Sequence, residues 1–182
     1  MSQQTMIHEV KEKAIAARDA LAAMNRLTTE QKNRALLAMA DALIRERDAI
    51  IAANREDLAR GEANGTSRSL LDRLKLDENR IAGIADGLRQ IAELPDPVGE
   101  VLETFERPNG LRIEKVRVPL GVIGMIYEAR PNVTVDAAGL CLKTGNTVVL
   151  RGGSAAIDSN RRIVDVLRRA LAGTDMPPDA LQ

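Results

Sequence analysis

Two short segments of the chain combine residue types that could do chemistry. The first reads Glu-Ala-Arg-Pro-Asn at residues 128–132, and the second reads Arg-Gly-Gly-Ser at residues 151–154. Arg130 could pair in bidentate fashion with a phosphate or a carboxylate, and the Asn132 carboxamide could donate to an oxyanion on an acyl carbon. On spacing alone, the alternative is that Arg130 is a solvated loop charge and that Asn132 caps the next helix.

The second segment has the composition of a nucleotide-binding loop. Paired glycines let backbone amides approach a ligand, and a following helix would offer its positive end to a phosphate. A Gly-Gly pair is also common as a simple turn, and the Gly-x-Gly-x-x-Gly dinucleotide fingerprint is absent. Both interpretations stay open for this loop, which is formed by Arg151, Gly152, Gly153 and Ser154.

Apolar runs of strand length precede both segments. Residues 121–127 form one run and residues 147–150 the other, and a helix capped by Thr134 or Asp136 is expected between them. Strand, helix and strand form a right-handed βαβ unit with parallel strands, each of a type that is buried on both faces. Ligands collect at the carboxyl ends of such strands, which is where both segments lie.

The first half of the chain has helical patterns only. Residues 1–94 contain an apolar stripe from Ile7 to Leu21 and a long helix that begins at a Thr28–Gln31 capping box and continues through Leu58. A short apolar segment and a helix capped by Asp77 follow.

The pattern changes after the helices. Two prolines close the helical stretch, and residues 95–119 predict a β-hairpin around a Pro-Asn-Gly turn. Residues 120–182 carry the βαβ unit and a further helix, and they stop where the next strand should begin. The predicted fold class is therefore α/β, with N-terminal helices, a β-hairpin and an incomplete Rossmann-like parallel βαβ sheet.

The composition disfavours several classes of partner. Twenty-six basic residues balance 26 acidic ones, and Phe105 and Tyr127 are the only aromatic residues, so nucleic-acid binding is not expected. No apolar run approaches the roughly 20 residues that span a bilayer. A single cysteine and a polar N-terminus without a signal-peptide core predict a cytoplasmic protein. We expect no metal site.

Three stretches carry a resemblance to a known family. Residues 118–124, 127–134 and 142–153 closely resemble the glutamate-5-semialdehyde dehydrogenase (gamma-glutamyl phosphate reductase) family, which belongs to the aldehyde dehydrogenase superfamily. Residues 53–58 and 71–74 resemble it too, so the similarity covers nearly the whole chain. The resemblance implies that residues 1–182 are the N-terminal part of a truncated NADP-binding domain, without the catalytic domain.

The resemblance also implies roles for the candidate residues. Asn132 would be the oxyanion-hole donor, Arg130 a contact for the substrate phosphate, and Arg151 a contact for the cofactor ribose, with residues 152–154 in the neighbouring cofactor loop. The family often has a glutamate soon after the glycines, whereas residues 155 and 156 here are alanines. Loss of an acid there suits a 2′-phosphate but removes an expected ribose contact.

The implied activity is the NADPH-dependent reduction of L-glutamate 5-phosphate to L-glutamate 5-semialdehyde and phosphate, a step of proline biosynthesis. The implied partners are the small-molecule substrate, NADP(H), other copies in a homo-oligomer, and glutamate 5-kinase. The alternatives are a non-catalytic fragment that binds nucleotide or a subunit, and another member of the superfamily.

The single thiol is not the expected nucleophile. Cys141 lies in an apolar helix, which keeps a thiol protonated, and the family's nucleophilic cysteine is implied to lie beyond residue 182. His8 is interpreted as a surface helix residue, and Lys143 as a structural residue near a helix end. We therefore expect the isolated chain to lack reductase activity.

Overall fold

The computed structural model describes residues 3–182, with side chains from residue 7 onward. It begins with five helices: α1 (Gln3–Met24), α2 (Thr29–Arg45), α3 (Arg47–Ala63), α4 (Arg68–Leu74) and α5 (Glu78–Glu93). The remaining elements are β1 (Val101–Glu106), β2 (Arg112–Val116), β3 (Val122–Ile126), α6 (Pro131–Lys143), β4 (Thr147–Arg151) and α7 (Ile157–Leu171), with 3-10 turns at Ser154–Ala156 and Pro178–Ala180. This order confirms the predicted α/β fold class.

Two helix starts follow the predicted capping chemistry. Thr28 Oγ1 accepts from the Gln31 backbone N–H at 3.2 Å, and the Gln31 side chain accepts from the Thr28 N–H at 2.8 Å. Asp77 Oδ1 accepts from the Arg80 N–H at 2.9 Å. Each cap satisfies a backbone donor that the first helical turn leaves without a partner.

The single long helix predicted from Thr28 through Leu58 is wrong. The chain breaks at Glu46, whose φ and ψ are −104° and 16°, and continues as α3. Helix α2 packs against α5 and α7, whereas α3 packs against α7 and α4. Neither Gly nor Pro marks the break, so packing against different partners sets its position rather than local propensity.

Only part of the predicted stripe on α1 is buried. Ala17 is buried in the core and Leu21 is partly buried, but Ile7 and Val10 are each 61% exposed. Helix α1 contacts β3 and β4, and Leu21 in its C-terminal half lies near the start of β3, where a Cβ on Gly121 would be 3.9 Å from Leu21 Cδ1.

The strands confirm the hairpin and the βαβ unit. β1 and β2 pair antiparallel, and β3 and β4 pair parallel from Val122 opposite Thr147 to Ile126 opposite Arg151. The start of the next strand is also present, because the Gln182 N–H donates to the Val148 carbonyl at 2.9 Å. These pairings place the ends of β3 and β4 side by side.

The prediction that both strands of the unit are buried on both faces is wrong for β3. Ile126 is 79% exposed, while Val148 of β4 is fully buried. Within residues 3–182, β4 is the only strand that pairs with β3, so one edge of β3 has no neighbouring strand. Among these residues, no helix is long and apolar enough to cross a lipid bilayer.

A buried charged group joins α2, α6 and the segment after α5. Lys32 forms an ion pair with Asp96, and the two side chains are 4% and 10% exposed. Lys143 Nζ donates to Asn33 Oδ1 at 2.6 Å and to the Ala92 carbonyl at 2.9 Å. This burial agrees with the structural role predicted for Lys143.

The ionised form of Asp96 is favoured by its neighbours. Burial by itself would raise the pKa of Asp96, but hydrogen bonds from Lys32, the Val98 N–H and the Thr29 hydroxyl together hold that pKa below its usual value. A carboxyl whose pKa is lowered by folding stabilises the protein above its unfolded pKa, and this contribution is lost as the pH falls through the folded pKa.

We predict that Asp96→Asn lowers the free energy of unfolding at neutral pH by about 3 kcal/mol, because Lys32 is left buried without a counter-charge. The difference from the unmodified chain should shrink as the pH falls below about 4, because the unfolded carboxyl becomes protonated there while the folded one is still ionised. Urea unfolding at both pH values measures this. The exposed Asp48→Asn variant should change stability little, and equal destabilisation by both variants would contradict the prediction.

Candidate functional site

The helix after β3 begins earlier than its sequence pattern predicts. Arg130 is the N-cap and Pro131 is the first helical residue, so Thr134 and Asp136, the predicted caps, both lie inside α6. Proline is favoured at this position because its fixed φ suits a helix and its missing N–H would lack a partner there. Asn132 is therefore held on the first turn of α6, close to the carboxyl end of β3.

Arg130 and Asn132 line the same surface pocket, which has a volume of about 550 Å³. The sequence analysis named these two residues but not those on the facing wall, which are distant along the chain and form no motif. The other lining residues come from α4, α5, the loop between them, and α6: Asp72, Arg73, Lys75, Leu76, Arg80, Gly83, Ile84 and Asp136.

The pocket has an excess of positive charge. Arg80 is engaged within its own wall, where its Nη2 lies 2.9 Å from Asp72 Oδ1 and its Nη1 donates to the Lys75 carbonyl at 2.8 Å. Arg130 is half-exposed, and its Nε lies 3.5 Å from Glu128 Oε2. Among the ion pairs of residues 7–182, none includes Arg73 or Lys75. The pocket thus suits an anion.

One carboxyl group in the pocket has an altered proton affinity. Burial raises the pKa of Asp136, and a hydrogen bond from the Asn132 side chain partly opposes that shift. Asn132 lies one helical turn before Asp136 on α6, and its carboxamide has two N–H donors that could serve a ligand in the pocket.

The β4–α7 loop, residues 152–156, contacts the β3–α6 loop, residues 127–130, directly. A Cβ on Gly153 would lie 2.8 Å from the Ala129 backbone nitrogen, and one on Gly152 would lie 2.2 Å from Asn160 Nδ2. Both positions require glycine because neighbouring protein atoms fill the space. Cofactor binding by this pair stays a prediction, but contact between the loops is a sufficient reason for both glycines.

The structure corrects the expectation that the helix after β4 offers its positive end to a phosphate. A carboxylate from α3 occupies that position: Asp57 accepts from the Asp158 N–H at 3.2 Å and from the Ser159 N–H at 2.8 Å. Asp57 is fully buried and also pairs with Arg60. The amides at the start of α7 already have a negative partner inside the protein.

Asp57 belongs to a group that we call the α3 polar cluster, made of Asn54, Asp57 and Ser159. Ser159 Oγ donates to Asp57 Oδ2 at 2.7 Å, and Asn54 Nδ2 donates to Ser159 Oγ at 3.0 Å. Asn54 also bonds the α4–α5 loop, donating to the Leu74 carbonyl at 2.9 Å and accepting from the Leu76 N–H at 2.7 Å. The cluster links α7 to the wall of the pocket.

A second buried chain of polar groups joins the two strand ends. The Tyr127 hydroxyl lies 2.6 Å from Thr134 Oγ1, which donates to Asn160 Oδ1 at 2.9 Å. Asn160 Nδ2 is buried without a hydrogen-bond partner among the residues that the structure describes. Sequence reasoning missed this chain because its members stand on three different elements.

The comparison with protein families decides the assignment of the fold. A family model described as the aldehyde dehydrogenase family matches residues 3–182. The chain belongs to the aldehyde dehydrogenase family. This assignment agrees with the superfamily implied by residues 118–153.

Within the aldehyde dehydrogenase family, the chain is similar to gamma-glutamyl phosphate reductases. It is 59% identical over 174 residues to the one from Moorella thermoacetica, covering 96% of this chain and 42% of that protein. It is 53% identical over 176 residues to the one from Geobacillus sp. (strain WCH70), and the match covers 97% of this chain and 43% of that protein. The chain therefore spans less than half the length of these curated relatives, and the predicted resemblance is confirmed.

Solved structures give the same result. The gamma-glutamyl phosphate reductase of Thermotoga maritima has a TM-score of 0.93 at 44% identity, covering 96% of this chain and 42% of that one. The Saccharomyces cerevisiae protein of the same name has a TM-score of 0.89 at 31% identity, and the match covers 100% of this chain and 46% of that one. A probable aldehyde dehydrogenase from Listeria monocytogenes, at 17% identity and a TM-score of 0.69, shares the fold.

Two residues set aside by the sequence analysis stand away from the pocket. Cys141 is half-buried on α6, and burial raises the pKa of its thiol, so the thiol stays protonated at neutral pH. His8 lies on the exposed part of α1, with its Nδ1 3.2 Å from Glu12 Oε1. Among the described residues, no group of His, Cys, Asp and Glu could hold a metal ion.

Contact between the two loops can be tested with a pair of glycine variants. We predict that Gly153→Ala destabilises the chain by about 2 kcal/mol, because the new methyl group would press on the Ala129 backbone. Gly83→Ala places its methyl group in open space on a helix and should stabilise by about 0.5–1 kcal/mol. Chemical unfolding measures both changes, and a neutral Gly153→Ala would contradict the loop contact.

Proposed function

We propose that these residues form the substrate-polarising and cofactor-contacting part of a gamma-glutamyl phosphate reductase. The balanced reaction converts L-glutamate 5-phosphate, NADPH and a proton into L-glutamate 5-semialdehyde, phosphate and NADP⁺. The observation that carries the proposal is that Asn132 and Arg130 share a cationic pocket, in a chain 59% identical to a relative with that name.

Asn132 is the proposed oxyanion donor. Its place on the first turn of α6 is set by Pro131, and it lines the pocket, so a carboxamide N–H can point at a developing oxyanion. Arg130 is the proposed contact for the leaving phosphate, since its guanidinium is half-exposed at the pocket and its bond to Glu128 is long.

Arg151 fits the proposed contact with the cofactor ribose, which carries a 2′-phosphate in NADP(H). It ends β4, is exposed, and takes part in none of the ion pairs of residues 7–182. Alanines at residues 155 and 156 put no carboxylate nearby to repel that phosphate. The bound cofactor would supply the hydride, and the exposed Ser154 is a further proposed contact.

The pyrophosphate of the cofactor has a different requirement. Because Asp57 caps α7, these phosphates cannot use the amides at the start of that helix. We place the proposed cofactor contacts at Arg151 and the turn that follows it. A cytoplasmic location, a homo-oligomer and a contact with glutamate 5-kinase remain further parts of this proposal.

A chimera tests the proposed activity. Residues 3–182 would replace the corresponding part of the Moorella thermoacetica reductase, and NADPH would be followed by absorbance in the reverse direction with semialdehyde, phosphate and NADP⁺. We predict that the chimera is active and that Asn132→Ala lowers kcat by about 10²–10³-fold. The exposed Asn79→Ala is the matched control, and an inactive but folded chimera would overturn the proposal.

A polypeptide of these 182 residues alone should have no reductase activity. The expectation rests on Cys141, the chain's only thiol, whose pKa is raised by burial rather than lowered. The check is an assay with L-glutamate 5-phosphate and NADPH. Turnover that disappears in Cys141→Ala would contradict the prediction.

A further inference from the structure

We propose that Asp136 binds the α-ammonium group of the amino-acid substrate while the acyl phosphate of the same molecule lies at Asn132. The inference rests on the proposed function and goes beyond it, because it assigns a specificity-determining residue that neither motif contains. Its basis is the charge pattern and the spacing of the pocket.

Asp136 is the carboxylate of the pocket that forms no ion pair within residues 7–182. The other one, Asp72, is bound by Arg80 at 2.9 Å. Among the ion pairs of residues 7–182, none includes Asp136, and Asn132, one helical turn before it on α6, is neutral. A pocket that holds Arg73, Lys75, Arg80 and Arg130 but leaves a carboxylate without a partner is suited to a ligand carrying both charges.

The cost of leaving Asp136 unpaired supports an incoming cation. The residue is partly buried, and this burial raises the pKa of its carboxyl group. An ammonium group would remove that cost by pairing with the ionised carboxylate. It would also neutralise a negative charge close to Asn132, where the proposed oxyanion develops and where an unpaired carboxylate would oppose it.

The spacing of the two positions along α6 is comparable to the length of a glutamyl group. Asn132 and Asp136 are four residues apart on α6, which corresponds to about 6 Å along the helix axis. In an extended glutamyl chain, four bonds separate the acyl carbon from the α-nitrogen, a distance of about 5 Å. A single substrate can therefore reach both side chains.

Helix α5, which lies opposite Asp136 in the pocket, leaves room for that substrate. Gly83 and Gly87 lie one turn apart on α5, and a Cβ on Gly87 would be 3.8 Å from Asp136 Oδ1. A Cβ on Gly83 would meet nothing within 4 Å, so packing within the described residues does not require glycine there. Glycine inside a helix costs about 1 kcal/mol relative to alanine, and open space in the pocket that Gly83 and Asp136 both line gives this position a use.

The inference can be tested by measuring how tightly L-glutamate and glutarate bind to the 182-residue chain. The two ligands differ only in the α-ammonium group, which glutarate lacks. The Asn132 side-chain amide signals in NMR spectra report occupancy. We expect L-glutamate to bind about tenfold or more tightly than glutarate, and Asp136→Asn to remove that preference. Asp86→Asn, on the outer surface of α5 where Asp86 pairs with Arg89, should preserve it.

If Asp136→Asn does not fold, a second variant still tests the inference. Gly83→Leu leaves Asp136 unchanged and fills the space opposite it, so L-glutamate should no longer shift the Asn132 signals. Equal affinities for L-glutamate and glutarate, absence of L-glutamate binding, or a preference that survives in Asp136→Asn would each overturn the inference.

The active chimera separates this inference from the proposed function. There, Asp136→Asn should raise the KM for L-glutamate 5-phosphate about tenfold with a smaller change in kcat, and an N-acetylated substrate should be insensitive to the substitution. An active chimera with an unchanged KM overturns the Asp136 assignment alone. An inactive chimera overturns the proposed reductase activity, whatever the binding result.

Discussion

The buried bonds of Asp57 hold together the parts of the molecule that could meet ligands. This carboxylate belongs to α3, yet it supplies the negative charge at the start of α7 and bonds to Ser159. Through Ser159 the connection reaches Asn54, which fixes the backbone of the α4–α5 loop on both sides of Lys75. Two residues on one turn of α3, Asn54 and Asp57, thus position both the α4–α5 loop that lines the pocket and the start of α7.

Contact between the two strand-end loops adds a second constraint. Gly152 and Gly153 let the β4–α7 loop approach Tyr127 and Ala129, and the Tyr127–Thr134–Asn160 chain joins the same elements beneath them. The first turn of α6 is therefore coupled to the end of β4. In the proposed function, a cofactor contact at Arg151 and a carbonyl contact at Asn132 would share one support.

Local patterns predicted the features that depend on local chemistry. The Thr28 and Asp77 caps, the hairpin, the parallel pairing and the Arg130–Asn132 segment all follow from residues close together in sequence. The break at Glu46, the exposure of β3 and the cap from Asp57 depend on which distant elements pack together, and no short pattern encodes that choice. The partners of Asn132 in the pocket were missed for the same reason, because most of them come from α4 and α5.

The capping of α7 by a residue 102 positions earlier also has a kinetic meaning. Bonds between such distant residues form only after the intervening chain has closed into a loop, and closure costs entropy before any contact repays it. We expect the start of α7 to become ordered only once α3 has docked. Strands β3 and β4 pair residues that lie much closer in sequence, such as Val122 and Thr147, so we expect them to pair before the environment around their carboxyl ends is complete.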